Sequence, residues 1–230
     1  MQIKKINNTV FEKLNKKIVA CNKCSRLVKF RKKISTEKRK QYIHETYWGK
    51  PITGFGDQKG KILFVGLAPA AHGGTRTGRV FTGDRSSEFL YKCLHNANIS
   101  NKSKSEHRKD GLKLKKAYIT TALKCVPPED KPLKKELDNC FSFFNSEISS
   151  LKNLKVIVAL GKIAFDACTY FYKSKYKFNE KINFTHNKIY KLPGNIILVG
   201  CYHPSPRNVN TGRINEKKMT NLFKKVLKLS

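Results

Sequence analysis

Seven cysteines are spread unevenly over the 230 residues: Cys21 and Cys24 form C-x2-C, Cys125 and Cys140 form C-x14-C, and Cys93, Cys168 and Cys201 stand singly in apolar patterns. An odd count, in a chain whose N-terminus shows no signal-peptide h-region or cleavage site, argues for reduced thiols rather than a disulfide framework. The three single cysteines fit a buried apolar role. The other four come from two loops and the helix that follows the second, and four thiolates suit either a zinc ion or an iron–sulfur cluster. The second C-x2-C that a zinc knuckle usually shows is missing.

Three other stretches carry groups able to do chemistry. GLAPAAHGGTRTGRVFTGDRSSEF, residues 66–89, is a long connection rich in Gly, Thr and Ala that runs into a helix start at Ser86 or Ser87. Its small residues let backbone approach a ligand closely. It is neither a Walker A loop nor GxGxxG, so no nucleotide cofactor is expected. HPSPRNVNTGR, residues 203–213, reads as a tight turn stiffened by two prolines, with His203 at its start and Arg and Asn at its tip. KCVPPEDKP places Cys125 beside a proline-rich turn that holds Asp130.

The elements that must position these groups follow from hydrophobic periodicity. Residues 61–66, 117–122, 154–160 and 195–202 are short apolar runs that read as buried strands. Helical patterns occupy 86–98, 132–149, 161–172 and 215–229, with a further helix near 9–20. Strands alternating with helices predict an α/β fold, a three-layer α/β/α sandwich around a central four-stranded parallel sheet. All three chemical stretches then leave the carboxyl ends of strands, where such sheets bind ligands. The basic stretch 31–40 is either a solvated helix face or a phosphate contact. Residues 173–191, polar with interleaved aromatics, read as a loop or hairpin insertion. One domain over 1–230 is expected, with an N-terminal helix and metal-binding segment over 1–45.

Forty-eight Lys and Arg against 16 Asp and Glu give a formal charge of +32. Such an excess favours a nucleic-acid partner, since phosphate neutralisation releases counterions, although a Lys-rich composition bias would produce it too. Apolar content of 39% is enough for a core, which excludes general disorder, and no run is long enough to span a membrane. A soluble, cytoplasmic monomer without membrane contact is expected.

GLAPAAHGGTRTGRVFTGD, YITTALKCVPP and HPSPRNVNTGR, in that order, resemble the type B, or family 5, uracil-DNA glycosylases. The type A relatives typically carry G-E-x-P-G where this chain has Gly66-Leu67-Ala68-Pro69-Ala70. The resemblance implies a DNA repair enzyme that flips uracil from DNA and hydrolyses its N-glycosidic bond. Cys21, Cys24, Cys125 and Cys140 would then ligate a 4Fe–4S cluster. Backbone N–H groups around Ala68, Pro69, Ala70 and His72, together with Gly66 and Thr121, would line the base pocket, and Phe81 would stack on the base. His203 would donate to a uracil oxygen as it becomes anionic, and Asp84 would orient water or stabilise the cationic sugar. Ser205 and Asn208 would contact phosphates, Arg213 would hold the loop, and Arg207 would fill the gap left by the base or touch a phosphate.

Two departures from the family pattern sharpen the expectations. Thr121 stands where uracil-specific relatives place Asn, which implies activity on other deaminated bases such as hypoxanthine. Asp130 stands where relatives carry Asn and would be a second candidate carboxylate. The competing reading is a non-catalytic member of the superfamily that grips damaged or single-stranded DNA.

Overall fold

The computed structural model describes residues 2–230, with side chains from Val10 onward; Met1, within the expected 1–45 segment, lies outside the described residues. Six strands form one sheet: β1 (Phe55–Gly56), β2 (Ile62–Gly66), β3 (Ala117–Thr121), β4 (Val156–Leu160), β5 (Ile189–Leu192) and β6 (Ile196–Cys201), in the order β1-β3-β2-β4-β6-β5. The four predicted strands are its parallel centre. The sheet is nonetheless larger than the four strands expected, because β1 and β5 add antiparallel edges. An edge strand needs partners on one side only, so two residues of β1 and the half-exposed IYKL of β5 suffice without an apolar run. The 173–191 insertion therefore ends as the first strand of a hairpin.

Alternation along the central strands divides the core. Ile62, Phe64, Val156, Val158 and Val199 face α4 (Arg85–Asn96) and α8 (Glu216–Leu229). Leu63, Val65, Ile157 and Leu198 face α1 (Gln2–Val19), α5 (Lys134–Ser150) and α6 (Lys162–Tyr176). The fold is thus the three-layer sandwich that buried strands demand. α8 shows why these segments are helical: Met219, Leu222, Phe223 and Val226 recur at helical spacing and are all buried, and Asn215 caps the first turn by accepting the Lys218 N–H at 2.9 Å. α2 (Ser25–Glu37) contains most of the basic 31–40 stretch, so that stretch is largely helix. Two short helices, α3 (Gly74–Thr77) and α7 (Pro206–Asn210), lie inside the chemical loops. None of the described helices is long and apolar enough to cross a membrane.

β2 has β3 on one flank and β4 on the other. The strand order therefore reverses at β2, the kind of point beyond whose carboxyl ends such sheets bind ligands.

Candidate active site

β2 ends at Gly66, in register with Thr121 at the end of β3. The missing side chain at Gly66 makes room for the Phe81 ring: a β-carbon there would lie 2.7 Å from Phe81 Cε2 and Cζ, and 3.4 Å from Thr121 Cγ2. Phe81 has φ 45°, a left-handed conformation that costs a non-glycine residue of order 1–3 kcal/mol. Its neighbours hold it there. Arg79 donates to Thr82 Oγ1 at 2.9 Å, to Ser105 Oγ at 2.8 Å and, as a fork, to Asp110. Arg79 and Asp110 are both buried, and the guanidinium pulls the Asp110 carboxyl far below its usual range against the opposing effect of burial.

His203, two residues past β6, faces Phe81 with ring centroids 6.0 Å apart and planes inclined by 34°. It stands over Gly161, just beyond β4, where a β-carbon would be 3.5 Å from its own Cβ. Asn208 donates to the His203 carbonyl at 2.9 Å and fixes the start of the loop. Burial lowers the imidazole pKa to about 4, so at neutral pH the ring is uncharged, with one N–H to give.

The connection from Gly66 to α4 folds back on itself. The amide of Ala122 donates to Gly66 O and that of Leu123 to Leu67 O, so the loop starts as an extension of the β2–β3 ladder. Pro69 is buried against Gly74, and Ala70 O accepts the Thr75 amide. His72 Nδ1 meets the Tyr47 hydroxyl at 2.9 Å; burial, then Arg39 and Arg76, lower its pKa. Arg76 braces the loop, donating to His72 O at 2.7 Å and Gly83 O at 2.9 Å while pairing with Glu45. Asp84 is the N-cap of α4: its Oδ1 accepts the Ser87 N–H at 2.8 Å, and Ser87 Oγ returns a contact to the Asp84 amide. Burial raises its carboxyl pKa, opposed by the Ser87 and Ser86 amides. Its Oδ2 lies against Gly73, where any β-carbon would overlap it.

Cys21, Cys24, Cys125 and Cys140 come together from the α1–α2 turn, the loop after β3 and α5. Burial pushes the Cys125 thiol up to about 12 and the Cys140 thiol to about 11; Cys21 and Cys140 bear on Cys125, and Cys24 and Cys21 on Cys140. Three of the four sulfurs receive N–H donors: Arg31 to Cys125 at 3.7 Å, Asn139 to Cys24 at 3.4 Å and the Lys124 amide to Cys140 at 3.4 Å. Such donors suit thiolate rather than thiol, so the side chains fit a thiolate-held metal group. Among the described residues no three His, Cys, Asp or Glu side chains are grouped as ligands of one metal ion. Ala68 packs on the same cluster as Leu27, Leu123 and Cys140, so the thiol site supports the loop that follows β2.

The 203–213 stretch is a short helix rather than a bare turn. Ser205 caps α7 by accepting the Asn208 amide, and the Asn208 side chain is engaged with His203, so both expected phosphate contacts already have partners within the loop. Arg207 is exposed at the tip. Arg213 lies 5.9 Å from the centre of the Tyr202 ring. Asp130 is exposed, has φ 55°, and lines a groove with Phe141, Ile163 and Tyr170 between α5 and α6.

The site also relies on residues the sequence reading did not single out. Lys124 and Glu147 form an ion pair exposed by 1% and 0%, and Lys124 also donates to Thr120 Oγ1 at 2.7 Å and Thr121 O at 2.8 Å. Glu147 accepts from Thr120 Oγ1 at 2.8 Å and from the Gly54 amide at 3.2 Å. Glu147 falls on the apolar face of its helix with Phe144 and Ile148, a placement unusual for a carboxylate and the one signal that could have marked it. Tyr47 and Arg76 left no such trace.

Residues 53–228 match the sequence model of the Uracil DNA glycosylase superfamily. The chain is similar to a type-5 uracil-DNA glycosylase of Thermus thermophilus, 39% identical over 216 residues that cover 93% of this chain and 95% of that one. A type-5 uracil-DNA glycosylase of Pyrobaculum aerophilum is 38% identical over 209 residues, 91% of this chain and 88% of its own. One from Mycobacterium tuberculosis is 37% identical over 218 residues, 94% and 81%.

Proposed function

The chain belongs to the uracil DNA glycosylase superfamily, and on that premise we propose that it removes uracil from DNA, hydrolysing the bond between base and deoxyribose and leaving an abasic site. The bond breaks as negative charge gathers on the base and positive charge on the sugar, so the site must offer donors to one and an anion to the other. Phe81 gives the flipped base a flat apolar surface over Gly66. The neutral His203 donates its N–H to a uracil carbonyl oxygen as that oxygen becomes anionic, without itself needing a proton from solvent. Asp84, in place at the start of α4, faces the developing positive charge or orients the attacking water. The α4 N-terminus favours the anionic carboxylate that this role needs.

The observation that carries this reading is the convergence of Phe81, over the side-chain-free end of β2, with His203, over Gly161 beyond β4, where the strand order reverses. Exposed Arg207, at the tip of the adjacent loop, is the side chain suited to enter the duplex where the base has left. Thr121 offers a hydroxyl where an amide would read uracil more strictly, so hypoxanthine and other deaminated bases are within reach of the same pocket. Cys21, Cys24, Cys125 and Cys140 are the side chains to hold a 4Fe–4S cluster. Base excision moves no electrons, so such a cluster serves to pin α2 and the loop after β3 beneath Ala68.

The direct test is incubation with a labelled oligonucleotide carrying one uracil, then alkali. Strand scission is expected for G·U or single-stranded substrate; bound but intact DNA in both cases would overturn the assignment.

A further inference from the structure

Away from the base pocket, a groove of about 860 Å³ runs between the last turns of α1, α2 and residues 48–53, closed by Gly78 and Arg108. Its charged lining consists of Lys16, Arg31, Lys32, Lys50 and Arg108, with no carboxylate. Among the described residues none of these five is ion-paired, whereas the neighbouring Lys33 on α2 has Glu37 at 3.7 Å. The wall also holds two buried polar atoms without partners, Arg31 Nε and Asn15 Oδ1, and Arg31 as a whole is only 5% exposed. A buried donor left free in a cationic concavity marks a place for an acceptor.

One wall is Trp48. Its indole N–H donates to Pro51 O at 3.2 Å, and the Arg108 guanidinium lies 4.4 Å from the ring centre. Gly78, at φ 77°, leaves the indole its space: a β-carbon there would stand 3.0 Å from the ring. The Trp48 amide donates to Arg76 O at 2.8 Å, and the Arg76 guanidinium holds His72 O and Gly83 O. The groove therefore hangs on the same connection that carries the base pocket.

We infer that this groove is a flanking-strand subsite, which takes the phosphodiester backbone of the DNA strand beyond the extruded nucleotide. Phosphates meet Lys16, Lys32, Lys50 and Arg108, and with no carboxylate among them the lining attracts a polyanion along its whole length. The volume exceeds what one phosphate needs and suits consecutive backbone units. This deepens the function proposed above and rests on it for the identity of the ligand as DNA.

Trp48 is the only tryptophan, so the protein's tryptophan emission comes from the wall of this groove. The intact protein is titrated with single strands of increasing length, with and without uracil, and with inorganic phosphate as the small-anion probe. Trp48 emission is expected to change with long strands whether or not they contain uracil, and little with phosphate. Replacing two exposed lysines, Lys32→Glu with Lys50→Glu, should weaken long-strand binding about tenfold or more and lower the salt slope by about 2, one for each lost contact. The excision rate on the shortest cleavable strand should stay as in the unaltered protein. Unchanged emission at saturation with long DNA, an equal loss of affinity for short and long strands, or a phosphate response as large as that of DNA would each overturn the subsite. Loss of excision with the emission response intact would instead strike only the enzymatic reading.

Discussion

Asp84 and Gly73 share one space: the carboxylate Oδ2 lies where a side chain at residue 73 would have to be, while Oδ1 is held by the Ser87 amide at 2.8 Å. Oδ1 is thus fixed by the helix cap, and Oδ2 occupies space that only a glycine at 73 leaves open.

Asp84→Ala should therefore depress uracil excision by roughly a hundredfold or more while leaving DNA affinity largely intact. It also removes a helix cap, at a cost of about 1 kcal/mol. Asp84→Asn retains the cap and separates the two effects. Gly73→Ala should mimic the rate loss by displacing the Asp84 carboxylate while leaving residue 84 itself unaltered. Single-turnover scission and chemical denaturation of the three variants check this, and wild-type rates in Asp84→Ala would pass the carboxylate role to Asp130 or bound water.

His203 links the pocket to pH. Its folded pKa, lowered by burial to about 4, lies below the ordinary 6.5, so folding favours the neutral ring. That contribution is complete above pH 6.5 and is lost as pH falls from 6.5 towards 4, amounting to about 3 kcal/mol. Denaturation at pH 7.5 and 4.5 should show a smaller acid destabilisation in His203→Asn than in the parent. Excision should show no inflection from this residue between pH 6 and 8.

Thr121→Asn tests what the hydroxyl permits. With an amide at the end of β3, excision of uracil should persist and excision of hypoxanthine should fall, read as the ratio of rates on matched oligonucleotides. Equal rates on both bases in parent and variant would remove residue 121 from base selection.

The Lys124–Glu147 pair is buried beneath Thr120 and Thr121. Glu147→Gln or Lys124→Met alone should destabilise by about 3–5 kcal/mol, since each leaves its partner without a counter-charge. Replacing both with methionine should recover much of the loss. Urea denaturation of the singles and the double closes the cycle.

Cys24→Ser should lower bound iron, absorbance near about 400 nm and thermal stability more than it lowers the excision rate of protein that remains folded. Zinc bound by four thiols with no such absorbance would replace the cluster assignment.

Much of this architecture was legible in the sequence, for physical reasons. The central strands are buried on both faces and read as unbroken apolar runs, as KILFVG does. The motifs at their ends announce themselves because Gly, Pro and His interrupt those runs. β1 and β5 stayed hidden because edge strands need neither length nor apolarity. Sequence reasoning places helix α1 from residue 9, whereas the structure starts it at Gln2, ahead of the buried stripe of Phe11, Leu14 and Ile18. The braces of the site were least legible. Arg79 meets Asp110, Lys124 meets Glu147 and Tyr47 meets His72, and no local pattern encodes a partner dozens of residues away.

α2 buries only Leu27 and Arg31, one of them charged. What ties it down is polar: Arg26 forks onto Glu136 with two bonds of 2.7 Å, and Arg31 reaches Asn22 and Cys125. Apolar burial sets the opening free energy of most helices, and here it is small, so α2 is held to the rest of the fold chiefly by these polar contacts. Because Arg31 bonds the Cys125 sulfur, and Cys125 and Ala68 pack in one cluster, loosening these polar contacts would reach the loop after β2 through the thiols.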